Sequence, residues 1–108
     1  MDKLNQLLKR IKQFNADRDW EQFHSPSNLS KSISIEAGEL LECFQWNNEE
    51  YNIKDVKEEL ADVLNYCLQM CIALNVDPIE IVNSKMNITE KKYPIDKAKS
   101  VATKYNKL

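Results

Sequence analysis

At 108 residues the chain has the size of one modest domain, whose small core would gain from self-association. A single glycine, three prolines and 30% charged residues point to helices, and a net charge of −2 gives no reason to expect nucleic-acid binding. No apolar run approaches the roughly 20 residues of a membrane span, and the opening MDKLNQLLKRIKQF places charged and apolar residues at helical spacing rather than as a signal peptide.

The first helix is expected from about Asp2 to Ala16, with Leu4, Leu7, Leu8, Ile11 and Phe14 on one side. HSPSN at 24–28 breaks the pattern, because Pro26 disfavours helix before it, and Ser27 or Asn28 can cap the next helix. That second helix then runs from about Leu29 to Trp46. Asn52 with Asp55 three residues on is a capping-box variant that opens a third helix reaching about Leu74. Asp77-Pro78 supplies a cap and a first-turn proline for a fourth, which ends before Tyr93-Pro94. The lysine-rich remainder, from about residue 94, reads as a weak helix or an ordered tail. Short connections favour antiparallel neighbours, so the expected fold is an all-α, antiparallel four-helix bundle, with residues 1–108 forming one domain. Cys43, Cys67 and Cys71 fall in apolar helical patterns. Their odd number, without CxxC spacing, suits buried thiols in a reducing cytoplasm better than a disulfide frame or a zinc site.

The chemistry concentrates in SIEAGELLECFQW and EELADVLNY. At about 100° per residue, Leu29, Ile33, Ala37, Leu40 and Phe44 form a core stripe on the second helix. Glu36, Glu39, Cys43 and Trp46 form a stripe beside it, and Glu42 points away toward solvent. On the third helix Leu60, Val63, Leu64, Cys67 and Cys71 make the core face, flanked by Glu59, Asp62 and Tyr66. Glu39 and Glu59 are symmetric about position 49, and so are Glu36 and Asp62. An antiparallel hairpin turning there sets the two acid pairs at matching depth. Four facing carboxylates repel unless they are protonated or share cations, and hard oxygen ligands suit Mg²⁺ or Mn²⁺. Acids three apart are equally the pattern of a solvated helix face. A di-iron reading fails because it needs Glu-x-x-His pairs, and the only histidine, His24, lies in a loop.

Together with RDWEQFHSPSNL at 18–29 and a weaker SKMNITEKKYP at 84–94, these blocks resemble the all-α MazG-like nucleoside triphosphate pyrophosphohydrolases, and within them the dCTP pyrophosphatase branch. The resemblance spans roughly residues 14–104. It implies Mg²⁺-dependent cleavage of a nucleoside triphosphate, dCTP or a base-modified dCTP, to the monophosphate and pyrophosphate. The implied metal ligands are Glu36, Glu39, Glu59 and Asp62. The ions would neutralise the phosphates and activate a water for attack on the α-phosphorus. Trp20 and Trp46 would flank the base, His24 and Tyr66 would line the pocket, and Lys85 and Lys92 would meet the phosphates, with Tyr93 beside them. On the residues alone, each of these keeps an ordinary reading as core aromatic, cap or solvated lysine. The resemblance also implies a homodimer or homotetramer with sites at subunit interfaces. The chain departs from the branch at Asn87, Thr89, Glu90 and Lys92, where an acid, an amide and two arginines are usual. That leaves open dUTP or a broader nucleotide set. The alternative from another class is a catalytically silent module that binds nucleotide or protein.

Overall fold

The computed structural model describes residues 2–108, and among these it is helical without strands. Two compact units divide the chain, one ending at Val76 and one running from Asp77 to Leu108. The first holds α1 (Lys3–Asp17), α2 (Pro26–Glu42) and α3 (Ile53–Leu74), with a 3₁₀ turn at Glu21–Phe23. The second holds α4 (Pro78–Lys92), α5 (Ile95–Ala98) and a 3₁₀ turn at Tyr105–Lys107.

Side-chain caps set the helix starts. Asp2 accepts from the Asn5 amide at 2.8 Å, Asn52 from Lys54 and Asp55, and Asp77 from Ile79 and Glu80. Helix α2 opens earlier than its apolar pattern predicts. Ser25 is the cap, accepting from Asn28 at 3.1 Å, and Pro26 occupies the first turn, where a missing N–H costs nothing. It also closes earlier. The amides of Phe44 and Gln45 bond back three residues, to Leu41 and Glu42, tightening the chain out of the α-helix before Trp46. Trp46 therefore leaves the stripe assigned to it, and at 89% exposure it is the most open large apolar residue among the described residues.

With one glycine in the chain, left-handed helix ends fall to other residues. Asp19 and Asn75, both at φ 54°, end α1 and α3. In each turn the following amide reaches back five residues, Trp20 to the Asn15 carbonyl and Val76 to that of Cys71, both at 3.0 Å. After α1 this geometry swings the Trp20 ring edge-on to Phe14, with centroids 5.7 Å apart.

Helix α2 packs along α3 more extensively than α1 does, and both pair with it inside the first unit. Ile11, Leu29 and Cys71 form the buried apolar core. Of the expected α2 core stripe, Leu29 is buried at 1% exposure, Ile33, Leu40 and Phe44 are half-buried, and Ala37 is exposed. On α3, Val63 and Cys67 are half-buried and Cys71 buried, but Leu60 and Leu64 lie open, since that side of the helix is left uncovered. Leu29→Ala should cost about 3 kcal/mol through the cavity it leaves. Asn75→Ala should cost about 1 kcal/mol, because alanine strains in the left-handed region, while Asn75→Gly should be close to neutral. Urea denaturation of the three variants checks both values.

Candidate active site

The α2–α3 pairing brings carboxylates from the two helices together. Ligand oxygens of Glu36, Glu59 and Asp62 all lie within 4.8 Å of one another. Glu39, on the exposed side, is close enough for its carboxyl to raise both Glu36 and Glu59. Oε2 of Glu36 and Oε2 of Glu59 are buried without a hydrogen-bond partner, the condition a bound cation relieves. All the donors are hard oxygens, a set that fits an ion of the Mg²⁺ type.

The electrostatics record the crowding. Contact with the Glu39 carboxyl first, then burial, then the charges of Glu39, Asp62 and Glu59 raise Glu36 from 4.5 to about 7. Burial first and then the same Glu39 contact push Glu59 up as well. Nearby, burial and the Glu59 charge push the Cys43 thiol up, so it stays protonated, and its Sγ contacts the Glu39 carbonyl at 3.7 Å. Three thiols are free.

The other expected site residues divide between the units. In the first, His24 is half-buried, with Nδ1 buried and unpartnered, and it faces a cleft of about 210 Å³ shared with Lys12, Asn15, Glu21 and Gln69. Tyr66, one turn beyond Asp62, is half-buried on α3. Trp20 stands against Phe14, whose ring also carries the Arg18 guanidinium at 3.7 Å. Beyond Trp46 the chain is tethered by Phe44 against Tyr51, with ring centroids 5.0 Å apart.

In the second unit, Lys85 lies exposed on α4, and its carbonyl accepts from the Thr89 hydroxyl at 3.0 Å. Lys92 Nζ sits 4.5 Å from the centre of the Tyr105 ring. The Tyr93 hydroxyl accepts from the Tyr105 amide at 3.2 Å, and the two rings meet edge to face. Residues 104–108 are thus folded back on the end of α4. Nothing in the spacing of the tail points to that contact.

A second feature escapes the sequence patterns. Asn15 and Gln69 are buried at 6% and 7% exposure, and the Asn15 amide donates to Gln69 Oε1 at 3.2 Å. Gln69 in turn donates to Asn65 Oδ1 at 3.2 Å. The relay crosses from α1 to α3 and borders a groove of about 380 Å³. Leu7, Ile11 and Phe14 of α1 and Ala61, Leu64 and Leu68 of α3 form its apolar walls. Three amides lying among apolar stripes were a visible signal, but amides carry no charge pattern to single them out.

Raised acids carry a stability signature. Folded Glu36 holds its proton up to about pH 7, whereas the unfolded chain releases it near 4.5. The cation-free fold therefore binds the extra proton across that window, and it loses stability as pH rises through it. Thermal melts in chelator should show Tm falling from about pH 5 to about pH 8, and Glu36→Gln should flatten the slope.

Residues 31–108 match the MazG-like family model. Over 114 aligned positions the chain is 39% identical to human dCTP pyrophosphatase 1 and 38% identical to the rat protein, covering 97% of this chain and 67% of each relative. It also resembles the crystal structure of a pyrophosphatase from Archaeoglobus fulgidus, with a TM-score of 0.82 and 40% identity, covering 87% of this chain and 94% of the other. An all-helical chain with facing α2 and α3 acids, matched over most of its length, this protein belongs to the MazG-like family.

Proposed function

We propose that the chain is a dCTP pyrophosphohydrolase, which cleaves dCTP to dCMP and pyrophosphate and removes unwanted or base-modified nucleotides from the pool. The observation that carries this is the carboxylate cluster of Glu36, Glu59 and Asp62, with its two orphaned buried oxygens, in a chain 39% identical to a dCTP pyrophosphatase. Glu36, Glu39, Glu59 and Asp62 would hold Mg²⁺, with Mn²⁺ as a substitute. When bound, the ion neutralises phosphate charge and lowers the pKa of a nearby water. Glu39, exposed like Asp62 and neighbour to Glu36 and Glu59, would orient the attacking water and accept its proton. The water oxygen bonds to the α-phosphorus, the bond from that phosphorus to the bridging oxygen breaks, and pyrophosphate leaves with the electron pair.

Base binding falls to Trp20, Trp46, His24 and Tyr66, whose rings offer stacking faces and edges. Lys85 and Lys92 meet the triphosphate, with Tyr93 beside them. Lys92 approaches as a point charge where an arginine fork is usual, and the Thr89 hydroxyl is already committed to the Lys85 carbonyl. Phosphate binding therefore rests on charge more than on planar recognition.

Residues 1–108 form one domain, which functions as a homodimer or homotetramer. Ile35, Leu41, Leu60 and Leu64 support self-association, being open on the single chain at 43–71% exposure. Among the described residues no helix is long and apolar enough to cross a membrane. Three free thiols suit a cytoplasmic setting.

Incubation with each common nucleoside triphosphate and Mg²⁺ tests the reading. Monophosphate plus pyrophosphate, fastest from dCTP, is expected; diphosphate plus phosphate would displace the point of attack, and no turnover would leave a binding module. Glu59→Gln should cut kcat by more than about 100-fold, beyond the loss of a mere second-layer partner, with circular dichroism unchanged. Added Mg²⁺ should raise Tm more at about pH 8 than at about pH 5, because protons compete for the same oxygens. Light scattering should give a mass twice or four times that of the chain.

A further inference from the structure

We infer that Tyr51 is a positioning residue for base recognition: clasped against Phe44, it closes the α2–α3 loop and holds Trp46 where the base stacks. This rests on the pyrophosphohydrolase reading above, in which Trp46 meets the base, and assigns the residue on which that contact depends.

The backbone is pinned on both sides of Trp46. Before it, the Phe44 and Gln45 amides bond back to Leu41 and Glu42. After it, Asn47 Oδ1 accepts from the Glu49 and Glu50 amides at 2.9 and 3.0 Å, which folds the tip into a turn. Across the root of the loop, Phe44 and Tyr51 bring their ring centroids to 5.0 Å, the separation of a favourable aromatic pair. Asn52, the next residue, caps α3, so the clasp joins directly onto the helix that carries Glu59 and Asp62. A loop closed at its root and turned at its tip leaves the Trp46 backbone few conformations.

The indole itself is left bare. It is 89% exposed and meets no other ring among the described residues. A pinned backbone beneath an open indole is what a stacking platform requires, because the ligand then has no loop to order as it binds. Charge decides which end of the nucleotide the loop receives. Glu49 and Glu50 stand exposed at the same tip and repel a polyphosphate, so the loop accepts the uncharged base. The phosphates go to the acids of the same hairpin, where Glu39 lies seven positions before Trp46 and Glu59 eight after Tyr51. The Tyr51 ring is spent on Phe44, so its influence on the base passes through Trp46.

Steady-state kinetics with dCTP and Mg²⁺ on the wild type, Tyr51→Leu, Tyr51→Phe, Trp46→Leu and the double variant Trp46→Leu/Tyr51→Leu test this. Tyr51→Leu should raise KM roughly three- to tenfold with kcat within about twofold, since the binding lost is common to ground and transition states. Tyr51→Phe keeps the ring pair and should retain the wild-type KM. Trp46→Leu should raise KM by roughly tenfold, and adding Tyr51→Leu to it should bring no further loss. With Trp20→Phe, Trp46 is the remaining tryptophan, and Tyr51→Leu in that background should lower its fluorescence anisotropy. The rise in Tm on adding Mg²⁺ should match the wild type in Tyr51→Leu, because the acids keep their places. An unchanged KM in a folded Tyr51→Leu, additive losses in the double variant, or a Tyr51→Phe as impaired as Tyr51→Leu would overturn the assignment. So would a Trp46→Leu with wild-type KM and lost self-association, which would give the indole to a second copy. A wild type inert toward every nucleotide would remove the pyrophosphohydrolase reading itself, an outcome distinct from an active enzyme with an unmoved KM.

Discussion

Mutual repulsion among carboxylates on facing helices is the constraint around which the first unit is arranged. Glu36 and Glu39 come from α2 and Glu59 and Asp62 from α3, and the core that pairs those helices forces the four toward one another. The fold tolerates this by holding protons: Glu36 is raised to about 7 and Glu59 is pushed up with it. A cation bound at the same oxygens would compete with that protonation, which would link folding, proton uptake and cation binding. Strain of this kind, kept where a well-packed apolar pair would be more stable, is expected at a working site rather than a structural one.

Around that cluster the molecule has little private core. Leu29 is deeply buried, yet apolar residues on α2 and α3 remain open to solvent in the single chain. The second unit is held differently, with Tyr93, Tyr105 and Lys92 packing the tail by one hydrogen bond, an edge-to-face contact and a cation over a ring. Each contact is weak alone, but all act on the same few residues.

The acid hairpin was legible in the sequence because two physical periods reinforce each other. Helical spacing puts acids on one flank, and a turn near position 49 matches their depths. Helix starts were legible where an Asn or Asp cap is followed by a helical run, as at Asn52 and Asp77. Helix α2 was less so at both ends. Ser25 competes with Ser27 and Asn28 as a cap, and apolar periodicity continues through Phe44 and Trp46 after the backbone has left the α-helix. The relay of Asn15, Gln69 and Asn65 was not legible. It links residues up to 54 positions apart, and neutral amides leave no periodic trace.

The turn after α1 gives Asn15 two separable duties. Its backbone carbonyl receives the Trp20 amide and so fixes where that indole stands, while its side chain anchors Gln69 across the helix pair. Any residue can supply the carbonyl; only an amide of this length supplies the anchor. Mutational drift at this one position can thus change the tie between α1 and α3 without moving the indole that the Asn15 backbone holds.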